Sequence, residues 1–294
     1  MLPPRVVTGA LYLFGWLLLC VAGGWTLTLA VTALSWVAFY EFRWVASRRR
    51  VRLAVEVGYP VCLAFVWSAF YFANDPESHG LAVMSLLLLA LLGCFGLHLN
   101  TTSRTPTAAI SMTMFGCVYC GLLPSVLVLL RNLEPDLTAT VWRWDAPLGF
   151  RLLAYLLAVT MIADVGGFVF GKLFGKHKLA GTVSPNKTWE GLIGVVVSAA
   201  LASLLFGALL HIGPALRTGA LDGSATRTIL HRLTLGAILG VAGQLGDFGA
   251  SIFKREAEVK DYGGLFPGHG GVLDRIDALI INAPILFLYA RRVL

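Results

Sequence analysis

The sequence predicts an all-α integral membrane protein, a polytopic bundle of about nine transmembrane helices. Of its 294 residues 57% are hydrophobic and 13% are charged, whereas soluble domains carry about 25% charged residues. Apolar runs recur along the chain at about the 20-residue length that crosses a bilayer. The formal net charge of +7 comes from short clusters of Lys and Arg between these runs, which is typical of membrane topology. A soluble enzyme is therefore excluded, and nucleic-acid binding is not expected.

Nine apolar runs predict the helices in order. They span Val6–Ala22, Trp25–Trp44, Leu53–Phe72, Leu81–Leu99, Ala108–Leu130, Leu148–Phe170, Leu192–Ile212, Ile229–Leu245 and Ile276–Tyr289. Only Gly23 and Gly24 separate the first two runs. A helical hairpin is assumed there, and a single bent segment is the alternative. The first run lacks a clear small-residue cleavage site, so we interpret it as a retained span rather than a secretory signal.

Lys and Arg predict the orientation, since cytoplasmic loops carry an excess of these residues. The connection between the second and third runs, counted from the end of the second run, holds Arg43, Arg48, Arg49, Arg50 and Arg52. The next connection, residues 73–80, has two acids and no Lys or Arg. Alternation from this point puts the loops 171–191 and 247–277 in the cytoplasm. It also puts Arg291 and Arg292 outside, against the rule.

The predicted organisation is an N-terminal region of transmembrane helices, 1–147, and a C-terminal catalytic region, 148–294. The stretch Asp247–Asp277 has ten charges in 31 residues, six acidic and four basic. Asp247 closes one apolar run, and Asp274 and Asp277 open the next with a spacing that places them on one helix face. Carboxylates therefore converge at the membrane edge, where Asp247 and Asp274 could supply the oxygen ligands that Mg²⁺ prefers.

Basic residues and glycines lie between these acids. They are Lys254, Arg255, Lys260, Arg275, Gly263, Gly264, Gly268, Gly270 and Gly271. The cations suit phosphate oxygens, and the glycines would let the backbone approach a ligand closely. The combination predicts a metal–phosphate site. The alternatives are that the acids are helix caps, that Lys254 and Arg255 bind lipid headgroups, and that residues 267–271 are only a turn.

A second polar stretch, 184–191, precedes the seventh run. Ser184, Lys187 and Thr188 offer donors to anionic oxygens near a helix N-terminus. The alternative makes Pro185 a turn former, Trp189 an interfacial anchor and Glu190 a first-turn acid.

Three further features lie outside this stretch. Asp164 is an ionisable residue inside an apolar run and therefore a functional candidate. The segment 171–177 does not have P-loop spacing. Glycines repeat at four-residue intervals, and we interpret them as helix packing sites. They are Gly167, Gly171, Gly175, Gly236 and Gly240.

The stretch 251–277 resembles the C-terminal pattern of the phosphatidate cytidylyltransferases, or CDP-diacylglycerol synthases. That pattern is S-x-x-K-R, four residues, K-D-x-G, then P-G-H-G-G-x-x-D-R-x-D. Its positions are filled by Ser251, Lys254, Arg255, Lys260, Asp261, Gly263, residues 267–271, Asp274, Arg275, Ile276 and Asp277. Residues 184–191 resemble a second block of the family.

The resemblance implies an enzyme that joins CTP to phosphatidate and releases pyrophosphate and CDP-diacylglycerol. It implies a catalytic Mg²⁺ on Asp247 and Asp274, with K⁺ as a further candidate ion. It also implies a homodimer in the bacterial inner membrane, with the active site facing the cytoplasm. Lys260 and Asp261 join the two metal ligands as expected catalytic residues. The expected substrate-binding residues are Ser184, Lys187, Thr188, Ser251, Lys254, Arg255, His269, Arg275, Asp277 and Asp164.

Three other functions are alternatives to this expectation. A divergent cytidylyltransferase acting on another lipid phosphate would share the same motifs. A transporter of an anionic solute would be expected to show an internal repeat, and none is evident. A CDP-alcohol phosphotransferase needs acids at a spacing that residues 271–277 do not have.

Overall fold

The structure is a computed structural model, and it describes residues 15–16, 18–99, 105–133, 146–181, 183–213, 224–263 and 270–293. We number the helices from Gly24, although residues 15–16 and 18–22 are also helical. The first four helices are α1 (Gly24–Arg48), α2 (Val55–Tyr71), α3 (Pro76–His98) and α4 (Pro106–Cys117). A π-helix (Val118–Leu122) then leads into α5 (Leu123–Asn132). The later helices are α6 (Leu148–Phe174), α7 (Trp189–Leu209), α8 (Ser224–Glu256) and α9 (Leu273–Val293).

Five helical stretches in the described part of the chain are long and apolar enough to cross a membrane. They are Pro76–His98, Pro106–Asn132, Leu148–Phe174, Trp189–Leu209 and Thr226–Glu256. Val55–Tyr71 is a shorter apolar helix. The second to ninth predicted runs each coincide with a helix or with the α4–α5 stretch, which confirms the all-α polytopic class. The first run, Val6–Ala22, lies largely outside the described residues.

Helix α8 extends furthest beyond its predicted apolar run. The run ended at Leu245, but α8 continues to Glu256. Asp247, Ser251 and Lys254 therefore lie on a helix, and the prediction of a loop from residue 247 was wrong there. The end of an apolar run marks where a helix leaves an apolar environment. The helix itself can continue beyond that point.

The loop after α6 contains a small β-hairpin that the sequence did not predict. Strand β1 (Lys178–Ala180) pairs with β2 (Ser184–Thr188) in antiparallel register, with Lys178 opposite Thr188. Thr188 is also the N-cap of α7, and its side-chain oxygen accepts the Gly191 N–H at 3.1 Å. The hairpin therefore leads directly into the helix.

The glycines at four-residue intervals pack helices closely, as predicted. A Cβ on Gly167 would lie 2.5 Å from a Val195 methyl group, and one on Gly171 would contact Gly191 at 3.6 Å. These contacts bring α6 and α7 together. On α8, a Cβ at Gly236 would lie 2.7 Å from the Cα of Ala200. A side chain at Gly236 would meet the backbone of α7 and push the two helices apart, and one at Gly167 would displace the Val195 side chain.

The chain forms two compact units. The first contains residues 1–132 and 253–276, and the second contains residues 133–252 and 277–294. The end of α8 and the start of α9 thus pack with the N-terminal helices. The functional division at residue 147 is still a prediction.

Candidate active site

Asp274 is the centre of a buried polar cluster in the first unit. It lies in the first turn of α9, and its side chain is 7% exposed. Its Oδ1 accepts a hydrogen bond from Lys254 Nζ at 2.6 Å. Its Oδ2 accepts the backbone N–H groups of Tyr262 at 2.8 Å and Gly271 at 2.9 Å. Charge-assisted bonds of this kind are stronger than neutral ones, so the carboxylate is held firmly in one orientation.

Lys254 comes from the last turn of α8 and is 8% exposed. Its Nζ also lies 5.5 Å from the centroid of the Tyr262 ring. Phe253, the preceding residue, packs on Phe42 and Phe115, with ring centroids 5.9 Å and 4.8 Å apart. The position of the Lys254 ammonium is therefore fixed by an ion pair on one side and by the packing of its own helix on the other.

Glu41 belongs to the same cluster, although the sequence analysis did not select it. It lies on α1 and is 4% exposed. Its Oε1 accepts the Val272 N–H and its Oε2 accepts the Leu273 N–H, both at 2.9 Å. The first N–H groups of a helix have no partner within the helix, and Glu41 satisfies two at the start of α9. The available signal was an acid within an apolar run, the criterion that selected Asp164.

A second ion pair lies in the other compact unit. Lys187 on β2 pairs with Oδ2 of Asp247 on α8. The Lys187 ammonium also lies 4.3 Å from the centroid of the Phe248 ring, at cation–π distance. The Asp247 side chain is 37% exposed, so this carboxylate is more open than that of Asp274. Both predicted metal ligands are thus paired with a lysine that the sequence analysis had assigned to substrate.

Glu190 stabilises the residues that precede the hairpin carrying Lys187. This carboxylate accepts the backbone N–H of Lys176 at 3.1 Å and contacts the His177 ring nitrogen at 2.7 Å. Thr188 caps α7, as described above. The first-turn role that the alternative interpretation gave to Glu190 is confirmed, while substrate contacts by Ser184 and Thr188 stay predictions.

The other predicted site residues differ in exposure. Those on the surface are Asp164, Arg255, Lys260, Asp261 and Arg275. Ser251 and Asp277 are each 8% exposed, and Asp277 Oδ1 accepts the Ala278 N–H at 2.8 Å. Ser184 is half-buried. His269 lies outside the described residues. The phosphate contacts expected of the exposed cations stay predictions.

The two aspartates differ in how well they fit a divalent cation. Within the described ranges, no group of three or more His, Cys, Asp or Glu side chains is arranged to hold a metal. Asp247 Oδ1 accepts no hydrogen bond from the described residues, so it suits a hard cation directly. Both oxygens of Asp274 already accept hydrogen bonds, so a cation bound at Oδ1 would share that atom with Lys254. The two acids belong to different compact units, and their common metal site stays a prediction.

Comparison with known proteins identifies the family. The sequence pattern of the Cytidylyltransferase family matches residues 3–293. The chain belongs to this family. It is therefore a nucleotidyltransferase.

Three relatives illustrate the similarity. The phosphatidate cytidylyltransferase of Bacillus subtilis (strain 168) is 27% identical over 96% of this chain and 95% of its own length. The uncharacterized protein YnbB of Escherichia coli (strain K12) is 42% identical over 49% of this chain and 43% of its own. The phosphatidate cytidylyltransferase of Haemophilus influenzae is 42% identical over 46% of this chain and 44% of its own. The higher identities thus cover less than half of each protein.

Proposed function

We propose that the protein is a CTP:phosphatidate cytidylyltransferase, which forms CDP-diacylglycerol and pyrophosphate. The observation that carries this proposal is the pairing of Lys254 with Asp274 and of Lys187 with Asp247. Lys254 and Asp274 both belong to the C-terminal block that resembles the family, and Lys187 belongs to the second block. The match to the Bacillus subtilis enzyme along nearly its whole length supports the same substrates.

The reaction needs no nucleophile from the protein. A phosphate oxygen of phosphatidate attacks the α-phosphorus of CTP and forms the new P–O bond. The bond between the α-phosphorus and its bridging oxygen to the β-phosphate breaks, and pyrophosphate leaves with those electrons. Both reactants are anionic, so the protein has to bring them together and stabilise the charge on the leaving group.

The lysines are suited to this task because they are already in place. Lys254 is buried and held by Asp274, so little side-chain entropy remains to be lost when a phosphate binds. Lys187 is held in the same way by Asp247. In this proposal the exposed Arg255, Lys260 and Arg275 bind the phosphates from the cytoplasmic side.

Asp247 and Asp274 are also the carboxylates that we propose as ligands of Mg²⁺, with K⁺ as a further candidate ion. The chemistry that Mg²⁺ supplies in such a site is neutralisation of nucleotide phosphate charge. The location in the bacterial inner membrane, the cytoplasmic face of the site and a homodimer belong to the same proposal.

The direct test is to incubate the purified protein in detergent with labelled CTP and phosphatidate. We expect lipid-linked label together with one pyrophosphate per product. Asp274→Asn should abolish the product, whereas Glu77→Gln, an exposed acid in the first turn of α3, should retain it. Product from a different lipid phosphate alone would assign the divergent activity. Solute uptake by proteoliposomes, with no labelled lipid under any condition, would refute the enzymatic proposal.

A further inference from the structure

We infer that Glu41 is a positioning residue of this enzyme, which holds the start of α9 so that Asp274 meets Lys254 in the required orientation. The inference rests on the proposed function where activity is the measurement. Its structural part does not depend on the substrate.

Three consecutive backbone N–H groups at the start of α9 donate to two carboxylates. Gly271 donates to the Asp274 carboxylate, whereas Val272 and Leu273 donate to Glu41. The start of α9 therefore lies between one carboxylate of its own and one from α1. A rotation of this turn that moved Asp274 would break the bonds to Glu41 as well, so the orientation of Asp274 depends on α1.

The glycines around Glu41 give independent support. A Cβ on Gly271 would lie 2.5 Å from both Glu41 carboxylate oxygens, and one on Gly263 would lie 2.9 Å from Oε1. Neither glycine has a positive φ, so an L side chain would suit the backbone at both positions. The requirement for glycine there is one of space. These two glycines make room for Glu41, whereas the sequence suggested that they let a ligand approach.

Burial gives these contacts their strength. Glu41 is 4% exposed, and both of its oxygens are engaged by backbone donors. In a low-dielectric environment an ionised carboxylate is stable only with such partners. The N-terminal end of a helix adds a favourable partial positive charge. The same contacts therefore stabilise Glu41 and fix the helix that carries Asp274.

The first test is Glu41→Gln, which preserves shape but replaces one acceptor oxygen by an NH₂ group that faces a backbone N–H. We expect kcat to fall about tenfold to a hundredfold, the range for losing a charge-assisted bond, with KM for CTP changing less. Glu56→Gln is the matched control, since Glu56 is an exposed acid in the first turn of α2. Unchanged kcat in Glu41→Gln would overturn the inference.

The second test separates positioning from a general loss of stability. Gly271→Ala should lower kcat strongly when Glu41 is present, because the new methyl group meets the carboxylate. In a Glu41→Ala background, which removes that carboxylate, Gly271→Ala should cost little more. An equal cost in both backgrounds would mean that Gly271 serves something other than Glu41, and would contradict the inference.

Hydrogen exchange supplies a measurement that needs no activity. In Glu41→Gln the backbone amides of residues 270–276 should exchange faster, while peptides from α6 and α7 exchange as in the wild type. Faster exchange throughout the protein would indicate a structural defect and count against positioning. If the wild type lacked cytidylyltransferase activity, the proposed function would fail while this measurement still decided the role of Glu41.

Discussion

Replacing Lys254 by methionine removes the cation from a buried ion pair while keeping most of the side-chain volume. Lys254 and Asp274 have side chains that are 10% and 7% exposed, with Nζ and Oδ1 2.6 Å apart. Among the described residues, methionine leaves the buried Asp274 carboxylate with two backbone donors, Tyr262 and Gly271. The free energy of unfolding should therefore decrease.

The expected magnitude follows from the remaining partners. Removing one member of a buried ion pair costs about 3–5 kcal/mol, because the other charge stays buried. Asp274 keeps two backbone hydrogen bonds, which places Lys254→Met near the lower end, at about 3 kcal/mol. Asp274→Asn leaves the Lys254 ammonium unpaired and should cost a similar amount. The double variant removes both charges and should cost less than the sum by about 2 kcal/mol.

The assay is unfolding of the purified protein in mixed micelles of increasing sodium dodecyl sulfate content, followed by tryptophan fluorescence. Arg49→Met is the matched control. Arg49 pairs with Glu256 at 2.7 Å near the same helix end, but these side chains are 47% and 51% exposed. Exposed pairs contribute about 1 kcal/mol or less. Additive effects of the two single substitutions, or a Lys254→Met cost no larger than that of Arg49→Met, would refute the buried pair as a coupled unit.

The remaining predictions concern the second ion pair, the helix cap, the metal and the topology. Asp247→Asn should abolish labelled-lipid formation and Lys187→Gln should lower kcat/KM about tenfold or more; wild-type kinetics in both would exclude this pair from the site. Thr188→Ala should reduce stability by about 1 kcal/mol through loss of the α7 cap, and an unchanged unfolding midpoint would contradict that role. EDTA should stop turnover and Mg²⁺ should restore it, whereas activity that survives chelation would argue against the metal. Cysteine probes in 171–190 and 251–277 should react from the cytoplasmic side of oriented vesicles, and reaction from opposite sides would disprove the topology.

The helices could be predicted because the bilayer imposes both length and composition. The run Leu148–Phe170 corresponds to α6, which begins at Leu148 and ends at Phe174. The same criterion failed for α8, whose last turns carry Asp247, Lys254 and Glu256 beyond the apolar run. Hydropathy records the environment of a segment, and a helix that continues into a polar site leaves no apolar signal there.

The hairpin before α7 could not be predicted for a related reason. Its strands cover only residues 178–180 and 184–188, too short for a recognisable alternation of polar and apolar side chains. Its conformation is supported by contacts with Glu190, a residue of the following helix. Lys187 was selected because of its charge in a conspicuous polar block. The structure pairs it with Asp247, and its contact with substrate stays a prediction.

Glu41 could not be identified from the C-terminal motif. The partners of its carboxylate lie 231 and 232 residues away along the chain, so no local spacing could connect them. Gly263 and Gly271 were the indirect signal for Glu41. Neither has a positive φ, so glycine is needed at these positions only because a neighbour occupies the space of a side chain. The sequence analysis interpreted that space as room for a ligand. At both glycines the structure places the carboxylate there, so part of the C-terminal motif encodes its attachment to the N-terminal helices.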